Sequence, residues 1–168
     1  TELKWEGSAQ IKFFAEKTLI PKESYISLYP TLTGAQSWKW IVTGAGITRS
    51  FQELQPRGPF TVPGMYTVAL IAENSSGIDT LEIKNYITVF GISAADSVLC
   101  KGDKTTLSIA TEGLDSWKWM TNETGSTIEF QPEQSRYATV TVTMGLFEFK
   151  DSIYIQVNQP FMFSQNDT

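Results

Sequence analysis

The sequence predicts an all-β chain folded as two tandem β-sandwiches. Three observations carry that expectation. Apolar residues alternate with polar ones over short stretches, the period of half-buried strands. Turn-forming residues punctuate those stretches at intervals of roughly 8–12 residues, as in sandwich domains. And Ser-Trp-Lys-Trp occurs twice, at Ser37–Trp40 and at Ser116–Trp119, with further matches around both copies.

Taken in order, the elements follow from these signals. Thr33-Gly34 marks a turn before the first Trp-Lys-Trp strand, and Gly44-Ala45-Gly46 follows it. Pro63-Gly64 reverses the chain, because proline presets φ and glycine supplies a positive φ. A strand then runs through Tyr66, Val68, Leu70 and Ala72, which share one face. Asn74-Ser75-Ser76-Gly77 turns the chain into a strand holding Leu81 and Ile83. The second half repeats the plan. Leu107 and Ile109 alternate, Glu112-Gly113 turns, and Trp117 and Trp119 follow. After Thr124-Gly125, Val140, Val142 and Met144 take one face against Thr139, Thr141 and Thr143, and Ile153, Ile155 and Val157 complete the pattern. No stretch keeps a 3.6-residue apolar period long enough for a substantial helix.

Anchoring Ser37 on Ser116 sets Leu28 on Leu107 and Gly34 on Gly113. Past the tryptophans the register changes by seven residues and then sets Val68 on Val140, Leu70 on Val142, Asp79 on Asp151 and Ile83 on Ile155. The second copy reads as having lost seven residues from a loop. A repeat of this length predicts two domains of about eighty residues, large enough to fold without staples. We expect domain 1–90, with 1–10 as a lead-in, and domain 91–168, with 161–168 as a tail. The join lies near Phe90-Gly91-Ile92, where few residues separate the copies; a short linker with restricted motion is expected there.

Composition narrows the function classes. The chain has 168 residues, 41% hydrophobic and only 18% charged, which is enough apolar material for a packed core. Thirteen Lys and Arg lie scattered among eighteen Asp and Glu, so there is no basic footprint for nucleic acid. There is no His. Ser-His-Asp and Cys-His schemes are therefore excluded, and zinc would lack its commonest ligands. Cys100 is the single cysteine, so no internal disulfide can form; it is read as a small buried residue at a strand edge. No carboxylate pair is gathered on one strand face, and no Asp-x-Asp-x-Asp-Gly calcium loop occurs. Gly44-Ala45-Gly46 lacks the ending and following helix of a phosphate loop. We expect no catalytic residue, no metal site and no cofactor. No apolar run approaches the about 18–20 residues needed to span a bilayer. The polar opening Thr1-Glu2-Leu3-Lys4 suits a mature or trimmed form and leaves a lipid anchor through a removed leader open.

The paired tryptophans admit two readings. Residues two apart on a strand point the same way, so Trp38 and Trp40 project together, as do Trp117 and Trp119. In immunoglobulin-like sandwiches the third strand carries a buried Trp between the sheets, which makes two such sandwiches the expected fold. We read Trp40 and Trp119 as core, with Tyr66, Val68, Leu70, Val140 and Val142. The outer members, Trp38 and Trp117, are the candidates for partial exposure and, with Trp5, for ligand contact. Trp5 is open between a packing plug and an exposed contact.

The stretch "SWKWIVTGAGITRS", followed by "PGMYTVAL" and "AENSSGIDTLEIKNYITV", resembles a PKD domain. Pro63-Gly64-Met65-Tyr66-Thr67-Val68 matches that family's strand, and Asn74, Gly77 and Asp79 keep its later pattern; Gly44-Ala45-Gly46 stands where its Gly-Asp-Gly loop would carry an aspartate. The resemblance covers about residues 10–90. The second half is similar to immunoglobulin-like repeats of bacterial surface adhesins, through Cys100-Lys101-Gly102, Thr106-Leu107, Trp117-Lys118-Trp119 and Tyr137-Ala138-Thr139-Val140. Tyr137 falls one residue early in the repeat, so a bulge or a solvent-facing Tyr is expected there. These resemblances imply a non-catalytic spacer, adhesin or ligand-presenting segment, extracellular or at the bacterial surface or periplasm. Its expected partner is an extracellular protein or glycan. The alternative is a carbohydrate-binding or accessory region of an exported glycan-utilisation protein or secreted hydrolase.

Overall fold

The computed structural model describes residues 9–159. Fifteen strands and no helix occur among them. The chain divides between Phe90 and Gly91 into two compact units.

The first unit holds β1 (Gln10–Ala15), β2 (Leu19–Pro21), β3 (Ser24–Thr33), β4 (Ser37–Gly44), β5 (Ile47–Phe51), β6 (Arg57–Phe60), β7 (Gly64–Asn74) and β8 (Gly77–Phe90). They form two sheets, β1-β3-β6 and β2-β8-β7-β4-β5. Every pairing is antiparallel except β2 with β8. Consecutive strands β3 and β4 lie in opposite sheets, while β7 and β8 pair beside β4. That is the strand order of an immunoglobulin-like sandwich. The core lies between the sheets because period-two alternation turns one face of each inward. Phe13 on β1 meets Trp40 on β4 edge to face at 5.3 Å, and Phe60 on β6 meets Tyr66 on β7 at 5.0 Å. Both ring pairs bridge the layers.

One irregularity interrupts the β7–β8 ladder. Tyr66 pairs with Ile87 and Val68 with Ile83, so β8 advances four residues while β7 advances two. Asn85, at φ 53°, takes up the excess and donates its N–H to Thr67 Oγ1 at 3.3 Å. Asparagine is among the few non-glycine residues that tolerate this left-handed conformation.

The second unit holds β9 (Ile92–Ala94), β10 (Val98–Cys100), β11 (Thr105–Ile109), β12 (Ser116–Trp119), β13 (Thr127–Phe130), β14 (Arg136–Met144) and β15 (Phe147–Asn158). Its sheets are β13-β11-β9 and β10-β15-β14-β12, again with one parallel pair, β10 with β15. Both units are thus immunoglobulin-like sandwiches by strand order. Inside the second, the Asp151 carboxylate on β15 accepts the Ile92 N–H at 2.9 Å, joining its two sheets.

Two sequence expectations change here. The seven missing residues are not loop alone: the stretch between β12 and β14 holds β13 but no counterpart of β5. Strand β12 is therefore an edge, and the turn after it folds back along part of it, with Trp119 N–H donating to Glu123 O and Asn122 N–H donating to Trp119 O, both at 2.9 Å. Cys100 is exposed, not buried. Strand β10 spans three residues and turns only Leu99 inward, leaving Val98 and Cys100 on the solvent side. The β14–β15 register runs unbroken from Arg136–Ile155 to Met144–Phe147, and Tyr137 is 61% exposed. Of the two expectations for Tyr137, the structure has the solvent-facing ring.

Candidate binding face

The tryptophans occupy two depths. Trp40 and Trp119 are fully buried. Trp119 Nε1 donates to the Gly125 carbonyl at 2.8 Å, whereas the Trp40 indole N–H meets no acceptor among the described residues. Trp38 and Trp117 are half-buried. Trp38 pairs with Ala72 and packs on the core of the first unit, and Trp117 pairs with Val142, which in turn pairs with Phe149. The ring nitrogens of both are shielded and without acceptors among the described residues. Trp5 lies outside the described residues.

Tyr66 sits at the corner opened by Pro63-Gly64. Its ring is buried, and its hydroxyl donates to the Val62 carbonyl at 2.8 Å. Burial raises its pKa above the ordinary tyrosine value, with the nearby Arg49 charge acting in the opposite direction. Close by, Ile26, Val42, Arg49, Phe60 and Tyr66 help line a cavity of about 20 Å³, room for roughly one water. Two of its lining residues are joined where Arg49 Nη1 donates to Pro59 O at 2.7 Å. It is a packing gap, too small for a ligand. Among the described residues no three metal-ligating side chains gather.

Exposed aromatic rings stand elsewhere, on the outward faces of the sheets. On β1-β3-β6, residues 12, 14 and 16 face away from the core with 25, 27, 29 and 31, because Phe13, Ile26 and Leu28 face inward. Phe14 pairs with Tyr29, and their rings stack at 5.0 Å with 16° between planes. Phe14 is nonetheless 57% exposed. Four residues along β3, Tyr25 is 58% exposed, with the Arg57 guanidinium 5.5 Å from its ring centre. Between the two aromatic positions lies a polar row: Ser27 pairs with Arg57 on one side, and Glu16 donates its N–H to Ser27 O on the other. Among the described residues of the second unit, Tyr137 and Tyr154 form a comparable outward pair, directly opposed on β14 and β15 with ring centres at 5.0 Å.

Sequence reasoning missed this face. The signal was present in "SYISLYPTLT", where Tyr25 and Tyr29 alternate with Ile26 and Leu28. A strand apolar on both faces is either doubly buried or displays one face.

No family model and no curated protein matches the chain. Solved structures do. A structure concerned with Dscam isoform specificity is 14% identical over 90% of this chain and 46% of that one, with a TM-score of 0.41. The four N-terminal Ig domains of Dscam1 isoform 4.44 give 14%, 90%, 46% and 0.38. The titin fragment A168169 is 10% identical over 90% of this chain and 99% of that one, at 0.43. This chain spans about half the length of the Dscam chains that it matches. The immunoglobulin-like assignment of each unit stands on the strand order described above.

Proposed function

We propose that the chain is a non-catalytic binding or adhesion module of an exported bacterial protein, displayed at the cell surface or in the periplasm. The observation that carries this reading is the placement of aromatic side chains. Trp40 and Trp119 fill the core of their respective units, while Phe14, Tyr25, Tyr137 and Tyr154 stand exposed on outward sheet faces. Sandwich faces with exposed rings suit recognition of another molecule's surface. The PKD-like stretch Pro63–Val68, with Asn74, Gly77 and Asp79, supports a surface-protein origin for the first unit, and Cys100-Lys101-Gly102 supports an adhesin-like second unit. The partner is an extracellular protein or glycan. The exposed Phe14–Tyr29 stack also favours the neighbouring reading of an accessory region attached to a glycan-degrading or glycan-importing protein.

The test is display of the chain on a non-adherent bacterium, with attachment to immobilised extracellular proteins and glycans measured against undisplayed cells. Increased attachment is expected. Hydrolysis of a polysaccharide or peptide by purified chain, lost on substituting one carboxylate, would replace this reading with an enzymatic one.

A further inference from the structure

We propose that the outward face of the β1-β3-β6 sheet binds an uncharged polysaccharide laid along β3, with Phe14 and Tyr25 stacking on separate sugar rings. The proposal rests on the binding-module reading and names its site and ligand class.

The geometry argues for an extended ligand. Tyr25 and Tyr29 are four residues apart on one strand, roughly 13 Å at strand rise. The Phe14–Tyr29 stack and the Tyr25 ring therefore form two platforms in line, too far apart for one small molecule to cover both. Phe14 has no polar atom to justify its exposure by hydrogen bonding, and it lies on the edge strand β1, where one ring face is open beyond the stack on Tyr29.

Between the platforms lies the Glu16–Ser27–Arg57 row. A dry protein interface would seal these charges away from water at a desolvation cost. A sugar chain suits the arrangement better. Its rings present apolar C–H faces to aromatic rings, and its hydroxyls both donate to Glu16 and accept from Arg57. Stacking platforms with a nearby Arg also serve single-stranded nucleic acids, but those sites line a positively charged groove. Here Lys12 and Arg57 are only partly offset by Glu16, which leaves this face one positive charge in a chain of net charge -5. One excess charge falls short of the basic groove a polyanion needs, so a neutral polymer fits better.

The test uses the whole chain and its Phe14→Ala and Tyr25→Ala variants. Each is co-sedimented with microcrystalline cellulose, chitin and xylan, with polygalacturonate and a single-stranded oligonucleotide as charged probes. Leu146→Ala, at a fully exposed side chain of the second unit, serves as the control, and circular dichroism checks that each variant is folded. We expect at least one of the three neutral polysaccharides to retain the chain. Each substitution on the β1-β3-β6 face should weaken retention about tenfold, a typical effect for one stacked ring, and Leu146→Ala should leave it unchanged. Retention by none of the neutral polysaccharides overturns the proposal, as does equal retention of folded Phe14→Ala and Tyr25→Ala. Preference for either charged probe overturns the ligand class. If displayed chain still confers attachment that both substitutions leave intact, the module reading survives and this site fails.

Discussion

The indole N–H of Trp119 donates to the Gly125 carbonyl at 2.8 Å, and the corresponding indole of Trp40 in the first unit has no acceptor among the described residues. Two copies of one tetrapeptide therefore satisfy their buried tryptophans differently. The difference follows from what comes after the strand. In the second unit the chain turns back after Trp119 and brings Gly125 to the ring, while in the first β4 continues to Gly44 and pairs with β5.

Replacing each buried tryptophan by phenylalanine should expose that asymmetry. Both changes remove similar volume. Trp119→Phe also leaves a carbonyl without its donor, whereas Trp40→Phe removes a donor that had no partner. Trp119→Phe should cost about 1 kcal/mol more. Urea unfolding of the two variants, each compared with the parent chain, reads the difference; an equal or larger loss for Trp40→Phe would contradict it.

Tyr66 carries a second expectation. Its hydroxyl bond to Val62 should be worth about 0.5–1.5 kcal/mol, which Tyr66→Phe removes. The pH dependence has a definite sign. Burial raises the folded-state pKa, so the neutral phenol is favoured by folding and its contribution is present below the ordinary value of 10.0. That contribution is lost as pH rises through the higher folded value. Part of the alkaline destabilisation of the parent should therefore be missing from Tyr66→Phe, as thermal melts across that range would show.

Much of the fold was legible in the sequence, because a half-buried strand prints its alternation directly: Val140 and Val142 against Thr139 and Thr141 is one instance. Less legible were features that depend on which face of a strand is covered. Tyr25 and Tyr29 give the same period-two signal as Ile26 and Leu28, and only the position of the second sheet tells core from display. The ladder shift at Asn85 was hidden for another reason. A left-handed asparagine inside a long strand leaves no mark in hydrophobic periodicity. The loss of β5 looked like a shortened loop because a brief edge strand such as Ile47–Phe51 contributes few inward residues to the pattern.

Cys100 offers a direct check on an exposed edge. Its place on the solvent side of β10 predicts alkylation by iodoacetamide in the native protein without denaturant. Cys100→Ser should change stability by no more than about 0.5 kcal/mol, as for other surface substitutions. Protection of the thiol until the chain is unfolded would show that β10 turns it inward.

Gly44 tests how tightly the β4–β5 hairpin is held against the tyrosine corner. The turn itself is Ala45-Gly46, with φ of 49° and 73°, the positive pair of a two-residue hairpin whose twist matches its strands. A Cβ on Gly44 would collide with the Met65 carbonyl oxygen and come within 2.7 Å of the Tyr66 ring. Neither can retreat easily, because Met65 is backbone in β7 and the Tyr66 ring is wedged against Phe60. A Cβ on Gly46 meets nothing within 4 Å, so its cost is confined to the positive φ. Gly46→Ala should therefore lose about 1 kcal/mol, and Gly46→Asn less, since asparagine accepts that conformation. Gly44→Ala should lose about 3 kcal/mol, at the upper end of overpacking effects. Pairing it with Tyr66→Leu, which removes the ring from the collision, should recover part of the loss as a favourable coupling in a double-mutant cycle. Strict additivity of the two changes would mean that Gly44 is demanded by the hairpin alone and not by the ring beside it.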